Sequence, residues 1–268
     1  MIADRPGAAQ DSRVDEGRVQ AAADANFVAS LTSLVNHVAG AASQEFRGVT
    51  AVVTGLPVAL FNGCFALGDA DADALDDAIR WIATASVPYR VWIREGLGVE
   101  VTTVQPRHGL AMRERLFPGM ALRPIPTAPS PQPGVAVHRV GDTADLAEYR
   151  GVLVADGAAP DMVARLLPES LLADPALALF TASLDARPAG TALALRTGST
   201  VGVYNVSTLP WARRRGVGTA ATWAAVDDGR ASGCELAVLQ SSAMGQAVYE
   251  AMGFHTVVRY LEFVQPGG

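Results

Sequence analysis

The sequence predicts a mixed α/β protein built as two halves of related order. Three observations carry this expectation. Strand-like apolar runs alternate with amphipathic helical runs along most of the 268 residues. A segment with five prolines, RPIPTAPSPQPG at 123–134, divides the chain near its middle. Late in the second half, three arginines run straight into Gly-Val-Gly and a helix-compatible stretch, RRRGVGTA at 213–220.

Taken in order, residues 1–24 carry mixed charge with no apolar block after the basic positions. They are expected to be disordered and to hold no secretion signal, which points to the cytoplasm. VTAVVTGLPVALFNGCFAL (49–67) predicts strands. DADALDDAIRWIATA (71–85) predicts a helix, because Leu75, Ile79 and Ile82 fall on one face. A strand at 89–95, a helix at 107–119 and a strand at 120–125 follow. The prolines of 123–134 lack backbone donors and favour extended geometry, so this segment reads as a semi-rigid linker.

Beyond the linker, VAVHRV (135–140) predicts a strand and 142–156 an Asp-capped helix, with further helix over about 160–172. Three strand-like runs at 176–185, 188–198 and 199–210 are separated by Gly, Pro and Asp turns, as in an antiparallel meander. An alanine-rich helix (216–233), a buried strand (234–240), a short helix (242–253) and a last strand (254–263) complete the half. GLAMRERLFPGMALRPI in the first half and AMGQAVYEAMGFHTVVRY in the second both suggest a short helix, a glycine stop and a strand. That echo predicts a divergent internal repeat.

Composition removes several classes of function. The net charge is −6 and the isoelectric point about 5.2, which argues against a general nucleic-acid partner. No stretch reaches the ~18 uncharged apolar residues that a membrane-spanning helix needs. Cys64 and Cys234 are too few for a disulfide framework and read as small buried apolar residues. His37, His108, His138 and His255 show no ligand spacing, so no metal is expected. Asp69, Asp71 and Asp73 resemble a calcium loop, but Ala74 and Arg80 stand where glycine and glutamate are required. Helix capping explains them better.

The arginine–glycine stretch is different. First-turn amides of a helix have no intrahelical acceptor, glycine lets a ligand approach the backbone, and arginine adds charge and forked donors. A pyrophosphate-sized anion accounts for both residue types. The stretch is not a Walker loop, since no Lys-Ser/Thr follows, and it lacks the third glycine of a dinucleotide fingerprint.

NVSTLPWARRRGVGTA, followed downstream by AVYEAMGF, resembles the GCN5-related N-acetyltransferase (GNAT) family. Arg213, Gly216 and Gly218 match its Arg/Gln-x-x-Gly-x-Gly/Ala pattern, and Tyr249 to Phe254 match its second element. The resemblance covers about 135–264 and implies a GNAT fold. With the expected disordered segment at 1–24 and linker at 123–134, it implies a degenerate GNAT-like domain at 25–122 and a catalytic domain at 135–268. The helix of the first half begins at GDADADAL, with no arginine and no Gly-x-Gly, so that half should not bind the co-substrate.

The resemblance further implies acetyl-CoA as co-substrate. The backbone of Val206, Ser207 and Thr208 would pair with the acetyl carbonyl and pantetheine arm. Arg213 and the amides of Arg214, Arg215, Gly216, Val217, Gly218 and Thr219 would cradle the pyrophosphate. Tyr249 would protonate the departing thiolate, and Ser242 stands where the family often has an asparagine near the cofactor. A glutamate base found in some members is replaced by Gly202, so the base is unassigned: Glu262 on the last strand is one candidate, beside a water chain or an amine of lower pKa. The expected activity is acetyl transfer to a small-molecule or peptidic primary amine, by a monomer or homodimer without nucleic-acid or membrane partners. The alternative is a non-catalytic acyl-CoA-binding sensor or scaffold.

Overall fold

The computed structural model describes residues 6–97, 106–113 and 116–265. The chain starts in a long helix, α1 (Pro6–Thr32), where the sequence reading expects disorder through residue 24. The signal was present as a four-residue spacing. Val19, Ala23, Phe27 and Leu31 form one stripe that packs on Trp92, Tyr260, Val238 and Val258. The mixed charges of the stretch mask this stripe, and tertiary packing secures the helix.

The first half continues with β1 (Ala42–Phe46), β2 (Val49–Val53), β3 (Gly63–Ala66), α2 (Ala72–Ala83) and β4 (Arg90–Arg94). Leu75, Ile79 and Ile82 of α2 are fully buried against this part of the sheet, as the spacing predicts. Then come β5 (Ala111–Met112) and β6 (Phe117–Leu122). The helix expected at 107–119 does not form: residues 107–108 are helical, and Gly109 then turns the chain at φ 63°. Residues 114–115 of that stretch lie outside the described residues. Pro118 and Gly119 lie in β6, where a Cβ on Gly119 would stand 2.5 Å from Val258 Cγ1. Helix propensity gives way to a position inside a sheet.

The second half follows the expected order closely. It comprises β7 (Val135–Arg139), α3 (Thr143–Ala155), α4 (Pro160–Leu166), β8 (Leu177–Leu184), β9 (Arg187–Thr197) and β10 (Thr200–Thr208). After these come α5 (Val217–Ala231), β11 (Leu236–Gln240), α6 (Gln246–Ala251) and β12 (His255–Val264). Asp142 caps α3, accepting from the amides of Ala144 and Asp145.

Among the described residues the strands form one sheet in the order β1-β2-β3-β4-β12-β6-β11-β10-β9-β8-β7, with β5 beside β12. Two pairs are parallel, β3–β4 and β10–β11, and a helix (α2, α5) bridges each. The centre of the sheet is exchanged between the halves. β6 from the first half lies against β11, and β12 from the second lies against β4. The linker therefore separates two stretches of chain without separating two sheets. The β2–β3 loop also crosses over: Leu56 is buried among Tyr149, Leu153, Val163 and Leu166 of α3 and α4.

Candidate functional site

The site grows from one opening in the sheet. β10 and β11 pair only from Thr200 opposite Leu236 to Gly202 opposite Val238, while β10 runs on to Thr208. Six residues of β10 thus extend past the last parallel pair. A bulge against β9 bends the strand there, with Tyr204 opposite Leu193 and Ser207 already opposite Thr191. Asn205 takes the left-handed conformation of the bulge at φ 50°, which asparagine tolerates better than most residues. Its amide donates to the Tyr149 hydroxyl at 3.0 Å, and Thr191 Oγ1 donates to its carbonyl at 2.8 Å.

The chain leaves β10 through a short turn at Pro210–Ala212 and reaches α5 through Arg213–Gly216. Gly216 stands at the helix N-terminus with φ 81°, and no side chain caps that end. The amides of residues 214–219 have no acceptor among the described hydrogen bonds; the first helical bond runs from Ala220 N to Gly216 O at 2.9 Å. Those amides and the helix dipole favour an anion at this end. A Cβ on Gly218 would lie 2.9 Å from Thr208 Oγ1, so its glycine brings α5 close to β10. On Gly216 a Cβ would meet Gln132 Cγ at 2.7 Å, which puts the proline-rich segment against the loop. Gln132 is not among the site residues that the sequence predicts.

The arginines divide their tasks. Arg213 Nε donates to Thr208 O at 3.1 Å, and its Nη2 lies 3.6 Å from Asp156 Oδ1. Arg214 and Arg215 are exposed and form no ion pair among the described residues. Arg187 stacks its guanidinium 4.4 Å above the Trp211 ring beside the same loop.

Across the opening, α6 carries Tyr249, half-buried with its ring 6.0 Å from Phe254. Gly245 makes room for it, since a Cβ there would stand 2.9 Å from Tyr249 Cε2. Burial pushes the Tyr249 phenol above its ordinary value, opposed by the neighbouring Thr222 hydroxyl. Ser242 is exposed and builds the turn before α6, its Oγ accepting from Gly245 N at 3.2 Å. The hydroxyl proton is still available to a ligand.

Gly202 cannot be replaced by a glutamate. A Cβ there would overlap the side-chain oxygen of Asn26, a fully buried residue of α1. Tyr204 Oη donates to that oxygen at 2.5 Å, and Asn26 Nδ2 donates to Leu195 O and Thr197 Oγ1 at 3.1 and 2.8 Å. Glu262 is removed as a base candidate. It is buried on β12 opposite Trp92 of β4, with Arg90 Nη1 at 2.6 Å and Arg113 Nε at 3.7 Å. Its two carboxylate oxygens are engaged by these guanidiniums.

The first half offers a control. β3 ends at Ala66, which still pairs with Ile93 of β4, so no strand runs past the parallel pair. Asp71 Oδ1 accepts from Ala74 N at 2.6 Å and closes the N-terminus of α2, with Asp73 in the first turn. A pyrophosphate fits the unclosed amides of α5 and does not fit this acidic, capped end. Among the described residues no group of three or more His, Cys, Asp or Glu could hold a metal ion. None of their helices is long and apolar enough to cross a membrane.

Comparisons with known proteins bear on the fold. Residues 148–254 match the sequence model of the Acetyltransferase (GNAT) family. The chain is similar to a GCN5-related N-acetyltransferase from Kribbella flavida, with 20% identity and a TM-score of 0.69 over 92% of this chain and 96% of that one. It is also similar to a tandem GNAT protein from the clavulanic acid biosynthesis pathway (13% identity, TM-score 0.57, 81% and 77% covered). A GCN5-related N-acetyltransferase from Sphaerobacter thermophilus shares 17% identity at a TM-score of 0.57, over 81% and 76%. No curated protein matches the sequence. At these identities the structural likeness speaks for a shared fold.

Proposed function

We propose that this chain, whose residues 148–254 match the Acetyltransferase (GNAT) family, transfers an acetyl group from acetyl-CoA to a primary amine. One observation carries the reading: the run of unaccepted amides at 214–219 lies beside a parallel strand pair that opens after Gly202. The amides and Arg214–Arg215 suit the pyrophosphate. The free stretch of β10, Val206–Thr208, suits the pantetheine arm and the thioester. As the amine nitrogen bonds to the carbonyl carbon, the carbon–sulfur bond breaks, and Tyr249 Oη gives its proton to the thiolate.

A phenol near 10 protonating a thiolate near 8.5 runs uphill by about 2 kcal/mol, a modest step within a reaction that forms an amide. Burial widens the gap but keeps Tyr249 protonated at every physiological pH. The second reading, a non-catalytic acyl-CoA-binding module, draws support from Gly202, whose neighbour Asn26 excludes a base at that position. Calorimetry with acetyl-CoA, followed by a panel of primary amines assayed for free thiol, separates the two. The acyltransferase reading expects one acetyl-CoA per chain and thiol release with at least one amine class. Binding without release across the panel would favour the module, and two equivalent sites would overturn the assignment to the second half.

A further inference from the structure

We propose that Ser207 and Asp156 form the proton-accepting pair for the incoming amine, in place of the glutamate that Gly202 cannot carry. The inference rests on the acyltransferase reading above. Ser207 lies on the free stretch of β10, flanked by the two residues whose backbone suits the thioester. Thr208 points to α5, where its Oγ1 meets Gly218. Ser207 points to the other side of the strand, where its Oγ donates to Asp156 Oδ2 at 2.6 Å.

Asp156 terminates α3, its amide bonded to Val152 O at 3.0 Å, so the carboxylate is held against β10 by a helix end. The charged group facing it is Arg213, whose Nη2 lies 3.6 Å from Oδ1. Among the described hydrogen bonds, Asp156 is the carboxylate that touches β10 beyond Gly202. Its side chain is 30% exposed, so a proton taken up there can pass to water.

The step balances. As the nitrogen–carbon bond forms, the nitrogen becomes acidic and its proton moves to Ser207 Oγ, while the serine proton moves to Asp156 Oδ2. The carbon–sulfur pair leaves with sulfur and collects the Tyr249 proton. The attacking amine is the neutral form: an ammonium has no lone pair to give and first loses its extra proton to water. The Ser207–Asp156 pair takes the one remaining proton to be lost, which becomes acidic as nitrogen bonds to carbon. Ser207 is the group that would touch the substrate; Asp156 acts through it as a positioning residue.

The test uses the amine that releases most thiol in the panel. Asp156→Asn is expected to lower kcat/KM for that amine by about 100-fold, the lower end of general acid–base catalysis, with acetyl-CoA affinity within twofold. Ser207→Ala should give an intermediate loss, and Asp156→Glu should recover part of the activity. Arg213→Ala measures how much of any loss comes from the ion pair, and it should weaken acetyl-CoA binding. Unchanged kcat/KM in Asp156→Asn overturns the proposal and leaves the acyltransferase reading intact. So does a loss explained wholly by weaker acetyl-CoA binding, which would make Asp156 a brace for Arg213. Absence of thiol release from the wild-type protein with every amine overturns the acyltransferase reading itself.

Discussion

The parallel pairs β3–β4 and β10–β11 occupy matching places in the two halves, each followed or bridged by one helix, yet they end differently. In the first half β3 stops while still paired, and Asp71 caps the start of α2. In the second half β10 runs six residues past its last partner, a bulge at Asn205 bends it, and Gly216 leaves the helix end uncapped. The same order of elements is thus compatible with a closed sheet and with a cleft. What distinguishes them is where backbone hydrogen bonds are left unmade. A folded protein leaves few such groups without a reason, and a ligand that supplies the missing acceptors is one reason.

The largest effect that could break this comparison is expected at Tyr249. Tyr249→Phe should lower turnover by roughly ten- to a thousandfold while acetyl-CoA affinity stays the same, because the ring keeps its packing and only the proton donor goes. The raised phenol also fixes a sign. Its protonated form persists past pH 10, so Tyr249 should cause no alkaline loss of turnover below about pH 10. Turnover measured for both proteins under conditions where chemistry is limiting decides the matter, and an unchanged rate removes Tyr249 from the mechanism.

A smaller effect, on binding alone, is expected at the loop. Gly216→Val places a β-branched residue at φ 81° against Gln132 and should weaken acetyl-CoA by tenfold or more. Arg213→Ala should cost less, since a single exposed charge contributes little. Titration calorimetry that found Gly216→Val binding normally would undo the account of the phosphate cradle.

The smallest effect sharpens the control half. Asp71→Ala removes the cap of α2 and should lower stability by about 1 kcal/mol, measured by denaturant unfolding. Acetyl-CoA stoichiometry should not change, because uncapping α2 does not lengthen β3 beyond β4. A second site appearing in this variant would show that the acidic cap, and not the closed sheet, keeps the first half silent.

Much of the second half was legible because its signals are local. The Asp142 cap, the strand meander and the glycine-bounded α5 each follow from residues within a few positions of one another. The same holds for Cys64 and Cys234, which are buried as their surroundings suggest. Residues 107–119 misled for the complementary reason. Their local preference is helical, but Phe117–Leu122 is recruited into a sheet by partners more than a hundred residues away in sequence.

By itself the sequence determined the order of most elements, the amide-rich helix start at 213–219 and the tyrosine of α6. These rest on spacing, glycine conformational freedom and charge, all of which act over short distances along the chain. Only the tertiary structure decided that β6 and β12 trade places, that Asn26 of α1 fills the space beside Gly202, and that Asp156 meets Ser207. Each of those joins residues that are far apart in sequence. Such pairings are set by which buried surfaces and hydrogen bonds can be satisfied together, and no local pattern records them.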